Sequence, residues 1–368
     1  MQTTSDKRSF DAIVVGAGVI GLSVAWEAVR QGLDVLVLER DEPASGATGV
    51  AAGMLAPAGE ATFGEERLLE MLLASLRAYP AWVDELESAS GVATGYRRCG
   101  AVHVALDRDE AEELRRRHAL QTTLGLEAEW LAPKRCREIE PGLAPSLAGG
   151  VHAPGEAAVD PRALVGALRA ALTRAGAEVR TGTEVRGAHL EGERLRGVST
   201  AAGERLFADH VVMASGCLPG SLDWLPAGAR PPLRPVKGQI VTLRGAAEEP
   251  VCEGIVASGR VYIVPRDDGR LLIGATVEER GFDLSVTAGG VHELLREAYR
   301  LLPEIAELEL LEARAGLRPA APGNRPLIGP GALEGLVLAT GHFRNGVLLA
   351  PLTADRVCQV LTGAGVPA

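Results

Sequence analysis

Asp11-Ala-Ile-Val-Val-Gly16-Ala-Gly18-Val-Ile-Gly21 and, a little further on, Val35-Leu-Val-Leu-Glu39 are the stretches that decide the fold. The run over 11–15 is apolar and β-branched, as a strand buried on both faces requires. Helix formers over 22–31 end at Gly32, and a second apolar strand over 35–38 stops at an acid. This order predicts a strand–helix–strand unit that binds a dinucleotide. Gly16 permits the tight turn, Gly18 lets the backbone approach a pyrophosphate, and Gly21 lets helix and strand pack closely. Glu39, 18 residues after Gly21, is placed to accept from ribose hydroxyls. Among 45 glycines the G-x-G-x-x-G spacing alone is weak, and its place between strand and helix gives it weight.

The turn itself does not choose between NAD and FAD. Beyond Glu39, Ser45-Gly-Ala-Thr-Gly-Val-Ala-Ala-Gly-Met-Leu55 is a run of small residues that admits a flat, bulky ligand, which favours FAD. No convincing acid–base set for a nicotinamide enzyme follows. H-E-x-x-H, G-x-S-x-G and the P-loop signature are absent, so zinc hydrolase, esterase and P-loop readings lose their support.

Outward from this unit, leucines 68, 69, 72, 73 and 76 predict one or two amphipathic helices over 67–86. A strand is expected over 101–106 and a charged helix over 109–123. Asp160-Pro161 starts a helix that runs to Gly176, since Asp accepts from free N–H groups and Pro tolerates the first position. Strands follow at 178–180 and 210–214, and Pro226, Pro231, Pro232 and Pro235 mark a crossing between domains. The runs at 260–264 and 271–275 flank a turn and form a hairpin, 291–302 is helical, and a buried strand at 336–340 leads through Gly341–Gly346 into a closing helix over 348–361. Nucleotide-type strands thus sit at both ends and in the middle. The expected architecture is α/β: a doubly wound, Rossmann-like FAD-binding domain (1–80, 150–225, 316–368) interleaved with an α+β substrate domain on a mostly antiparallel sheet (81–149, 226–315).

Composition narrows the partners. The chain has 368 residues, 46% of them apolar, which suits a sizeable core. A net charge of −10 argues against nucleic acid or an anionic membrane surface. Of the 38 basic residues only Lys7, Lys134 and Lys237 are lysines; the other 35 are arginines. Cys99, Cys136, Cys217, Cys252 and Cys358 form no C-x-x-C pair and no ligand cluster, so no metal or disulfide framework is expected and a reducing cytoplasm fits. No run approaches the ~20 apolar residues of a membrane span, and the N-terminus lacks the apolar core of a signal peptide.

Four segments together resemble the D-amino-acid-oxidase-like flavoprotein family, in order along nearly the whole chain. They are 12–40; Val236-Lys-Gly-Gln239; Tyr262-Ile-Val-Pro-Arg266 with Gly269–Thr276; and a C-terminal pair, Ala315-Gly-Leu-Arg-Pro319 with Gly341-His-Phe-Arg-Asn-Gly-Val-Leu-Leu-Ala-Pro351. The last is the most specific and is similar to the family's glycine-oxidising branch, which serves thiamine synthesis. The resemblance implies that Val19, Ile20, Glu39, Arg40, Ala47, Thr48, Ala52, Gly53 and Met54 line the FAD. It puts Val185 at the adenine end and His342, Phe343, Arg344, Asn345, Gly346, Val347 and Leu348 around the flavin ring. The residues themselves allow a helix start there, whose free N–H groups would favour the negative charge a reduced flavin gathers. By the same resemblance Arg318 binds the substrate carboxylate as a bidentate fork, Tyr262 supplies a hydroxyl, and Arg344 shares the pocket.

The activity implied is oxidation of glycine, or of sarcosine or a small D-amino acid, to the imine and glyoxylate, with oxygen reduced to hydrogen peroxide. No acid–base residue is expected. Val277 stands where a Met is common in these relatives, a difference expected to reshape the substrate pocket. Relatives that act on sarcosine carry a covalent flavin link on a Cys at this point; this chain has no Cys beside Arg318, so the resemblance implies non-covalent FAD. Alternatives are a D-amino-acid or sarcosine dehydrogenase passing electrons to a quinone, a non-catalytic flavin protein and, last, an NAD enzyme. A thiazole synthase is the expected partner, and a homo-oligomer the expected assembly.

Overall fold

The computed structural model describes residues 9–364. The outermost expected domain limits, 1–8 and 365–368, and most of the N-terminal stretch read for a signal peptide lie outside the described residues. Parallel pairing joins strands Leu336–Thr340, Arg205–Met213, Ser9–Val15 and Val35–Leu38, with Glu178–Arg180 at the edge, in one eight-stranded sheet. Val35–Leu38 and the 12–15 run of the first strand are short and apolar because both their faces are covered. Alternation sends Ala12 and Val14 to one face, where helices Val19–Arg30, Pro161–Arg174 and Ala350–Leu361 pack, with Glu66–Ser90 behind them. Ile13 and Val15 go to the other face. That face is covered by an antiparallel ribbon, Val185–Glu191 with Arg194–Thr200, and by Trp224 and Leu225, rather than by helices.

A second eight-stranded sheet is antiparallel apart from the pair Ile255–Ala257 and Ala101–Ala105. It contains the expected hairpin, Tyr262–Pro265 with Arg270–Gly274, and two long strands, Arg234–Arg244 and Glu309–Ala320, paired along almost their whole length. The chain passes from the first sheet to the second and back twice. Two strands run across the expected domain limits: Gly149–Ala153 lies in the second sheet beyond residue 149, and Glu309–Ala320 stays there beyond 315. Ladder bonds hold both there, and composition marks no such point. The closing helix begins at Ala350, two residues later than expected, after a tight turn through 345–349.

Candidate active site

The two sheets enclose a cavity of about 480 Å³. One end is built on the first strand–turn–helix. Gly21 sits so close beneath the turn that a Cβ there would lie 1.9 Å from the Gly16 carbonyl oxygen. Glu39 is held at the end of its strand by two backbone donors, Ala17 N to Oε2 at 2.7 Å and Asp41 N to Oε1 at 3.0 Å. Thr48 reaches back from the small-residue run, its Oγ1 accepting from Val19 N at 3.1 Å, the first amide of the helix. Behind that run, buried Arg266 donates to the Ala52 carbonyl and faces Asp160, which also caps the helix Pro161–Arg174.

The far wall comes from the C-terminal segment. Tyr79 Oη donates to the Val347 carbonyl (3.2 Å) and Ser75 Oγ to that of Leu348 (2.6 Å), pinning the turn from behind. His342 is buried against Thr353, its Nε2 2.9 Å from Oγ1. Burial alone pulls the His342 imidazole down to about 3, so it is neutral at physiological pH. Phe343 N donates to the Pro319 carbonyl at 2.9 Å, and Ala320 bridges to His342. The strand that carries Arg318 is thereby stitched to the C-terminal wall.

At the second sheet, Arg318 and Tyr262 face the same cavity. The Arg318 guanidinium lies flat on Gly238, where a Cβ would meet Nη2 at 2.3 Å. Its Nη1 donates to the carbonyls of Thr276 (3.1 Å) and Lys237 (3.3 Å). Burial raises the Tyr262 phenol above its ordinary value, against the opposing pull of Arg318, so the hydroxyl keeps its proton. Arg344 reaches in from the C-terminal wall, its Nε 2.9 Å from Glu60 Oε2. Glu60 is the one carboxylate in this group. Burial and nearby Glu156 raise it above its usual range, while Arg344 and Arg318 oppose that rise.

Most of the expected site residues line this one cavity: Gly16, Gly18, Val19, Ile20, Glu39, Ala47, Thr48, Ala52–Met54, Tyr262, Arg318 and His342–Leu348. Gly21 packs behind the turn. Arg40 lies outside the lining, tied to Asp41 and to the Pro219 carbonyl, and Val185 sits in the core of the second face. Sequence reasoning passed over Glu60, Thr340 and Cys217, all in the lining. Cys217 Sγ is 3.6 Å from the Leu317 carbonyl, so a thiol does stand beside the Arg318 strand in space. Burial pushes that thiol up to about 12, which keeps it protonated and a poor nucleophile.

The sequence profile of the family described as FAD dependent oxidoreductase matches residues 11–360. The chain belongs to this DAO family. A glycine oxidase of Geobacillus kaustophilus is 35% identical over 96% of the chain and 93% of that protein. The crystal structure of glycine oxidase from the same organism superposes with a TM-score of 0.90 at 33% identity, covering 97% of this chain and 95% of that one. The bifunctional protein ThiO/ThiG of Trichormus variabilis is 37% identical over 95% of the chain. The chain spans about half (52%) the length of that relative. The fold is therefore that of a flavin-dependent oxidoreductase, and FAD is its cofactor. The cavity fits the group: small residues line one wall, Glu39 is placed for a ribose, and Thr340 Oγ1, on a residue 2% exposed, has no partner among the described residues. No helix among the described residues is long and apolar enough to cross a membrane.

Proposed function

We propose that the protein oxidises glycine, and with it small amines such as sarcosine or small D-amino acids, to the imine. With glycine, hydrolysis of the imine then yields glyoxylate and ammonia, and the electron pair reduces oxygen to hydrogen peroxide. The carrying observation is that Arg318, Tyr262, Arg344 and Glu60 converge on the cavity that the dinucleotide turn opens into. Similarity to the glycine oxidases supports the choice of substrate. The bifunctional ThiO/ThiG relatives support a role in thiamine synthesis, with a thiazole synthase as the partner that takes the product.

In this reading Arg318 receives the carboxylate on the guanidinium edge not engaged by Thr276 and Lys237, as a fork. Tyr262, still protonated, donates to the same carboxylate. Glu39 and Thr48 hold the nucleotide end, and the pinned turn at 346–348 faces the ring. Bound FAD supplies the two-electron acceptor. It would be held without a covalent link, the buried and protonated Cys217 thiol being a poor nucleophile. Neutral His342 adds no charge beside the ring.

The substrate's amine enters as ammonium, and in this reading Glu60, the carboxylate that lines the cavity with Arg318 and Arg344, takes its proton, an acid–base role not expected from the sequence. Glu60→Gln therefore lowers kcat/KM at neutral pH by roughly 10²-fold, the size of a general-base effect. The acidic limb of its pH–rate profile moves upward, because only amine already deprotonated in solution then reacts. Superimposable limbs in the two enzymes contradict this role.

The activity is tested by mixing the yellow holoenzyme with glycine without oxygen and watching the flavin absorbance. Bleaching, followed after re-aeration by one peroxide per glyoxylate, is expected. A flavin left oxidised by glycine, sarcosine and D-alanine refutes the reading.

A further inference from the structure

The 13 residues between Gly274 and the helix Ala288–Leu301 form no strand or helix of their own. This strap leaves the hairpin at the cavity, where Val277 contributes to the wall yet is 69% exposed. Its outer part carries Phe282, Leu284 and Val286 at the surface. Few apolar contacts hold it, and its attachment is polar. Lys237 exchanges backbone bonds with Glu278, both at 3.0 Å. The Lys237 side chain is fully buried on the face of its strand away from the cavity, which Gly238 and Ile240 line. Its ammonium lies 2.6 Å from Asp283 Oδ2, 3.5 Å from Ser285 Oγ and 3.6 Å from Glu278 Oε2, all on the strap. The Lys237 hydrogen bond holds the Asp283 carboxyl well below its ordinary range. Glu278 also accepts from Thr276 Oγ1 and Gln239 Nε2.

We propose that Lys237 is a positioning residue: by latching the strap through Asp283 and Glu278, it fixes the Thr276 carbonyl that aims Arg318 and sets the mouth of the substrate cavity. Three acceptors around one buried point suit a compact ammonium with three donors and not a planar guanidinium. That accounts for a lysine here in a chain whose basic residues are otherwise nearly all arginine. The latch rests on the assignment of Arg318 to a substrate carboxylate.

The test uses Lys237→Met, Asp283→Asn and the double variant as FAD-loaded proteins, with acetate as a carboxylate probe read through its perturbation of the flavin spectrum. In Lys237→Met the Kd for acetate and the KM for glycine rise about tenfold or more, as a displaced positioning contact costs, while kcat moves less than about threefold. Chymotrypsin cleaves the loosened strap at Phe282 faster. Asp283→Asn shifts binding in the same direction, and the double variant is no worse than Lys237→Met alone. Should Lys237→Met lose its cofactor, Asp283→Asn carries the same measurements, since its ammonium keeps Glu278 and Ser285. Unchanged acetate binding, or effects that simply add, overturns the latch. A wild-type enzyme that binds acetate but is not reduced by glycine overturns the substrate instead, leaving the latch to be judged on the acetate and cleavage results.

Discussion

Arg318→Ala raises the KM for glycine by about 10²–10³-fold while the purified protein stays yellow. The estimate follows from two charge-assisted hydrogen bonds at ~1.5–3 kcal/mol each, discounted for water that enters the vacated space, with 1.4 kcal/mol per tenfold. Cofactor binding is spared because the nucleotide end of the cavity stands on Glu39, Thr48 and the first helix, on the other sheet. Arg318→Lys does not restore activity: the shorter point charge cannot both reach the Thr276 and Lys237 carbonyls and present a fork. Steady-state kinetics beside flavin content decide the matter, and unchanged glycine kinetics in Arg318→Ala removes it from the site.

Gly21→Ala gives the other large effect, and of the opposite kind. A methyl placed 1.9 Å from the Gly16 carbonyl oxygen forces the helix Val19–Arg30 off the turn that it opens from. Over-packing of this sort costs about 1–3 kcal/mol or more. The distortion falls on the amides that would meet a pyrophosphate, so affinity for FAD drops by roughly 5–150-fold. The variant purifies pale and melts earlier, and added FAD restores colour only in excess. Gly166→Ala is the control. That glycine lies exposed on the helix Pro161–Arg174 with nothing within 4 Å of an added Cβ, so colour is kept and stability rises slightly. A Gly21→Ala protein with full flavin content and an unaltered melting temperature contradicts the packing argument.

What could be read from the chain alone follows from how local each requirement is. The strand–turn–helix of 9–30 and the capped helix after Asp160 are written in neighbouring residues, and their placement was legible. So was the interleaving, because apolar strands recur at both ends and in the middle. Glu60 was not, since one acid among 48 gains its meaning only by meeting Arg344 from the opposite end of the chain. Cys217 was missed for the same reason: its neighbour Leu317 is distant in sequence and adjacent in space. Thr340 closes a strand and looks structural until its hydroxyl is found without a partner inside the cavity. Gly149–Ala153 and Glu309–Ala320 run past the expected limits at 149 and 315, since a ladder can carry a strand across any change in composition.

The alternation of the chain between its two sheets bears on how the molecule comes apart. Neither sheet is made of one continuous stretch, so neither can melt and leave the other with its connections intact. A single thermal transition is then expected, in which a ligand that binds only the folded form adds RT ln(1 + [L]/Kd) to the stability of the whole chain. Affinity for the cofactor in the parallel sheet is thereby shared, through the covalent path of the backbone, with strands that never touch it.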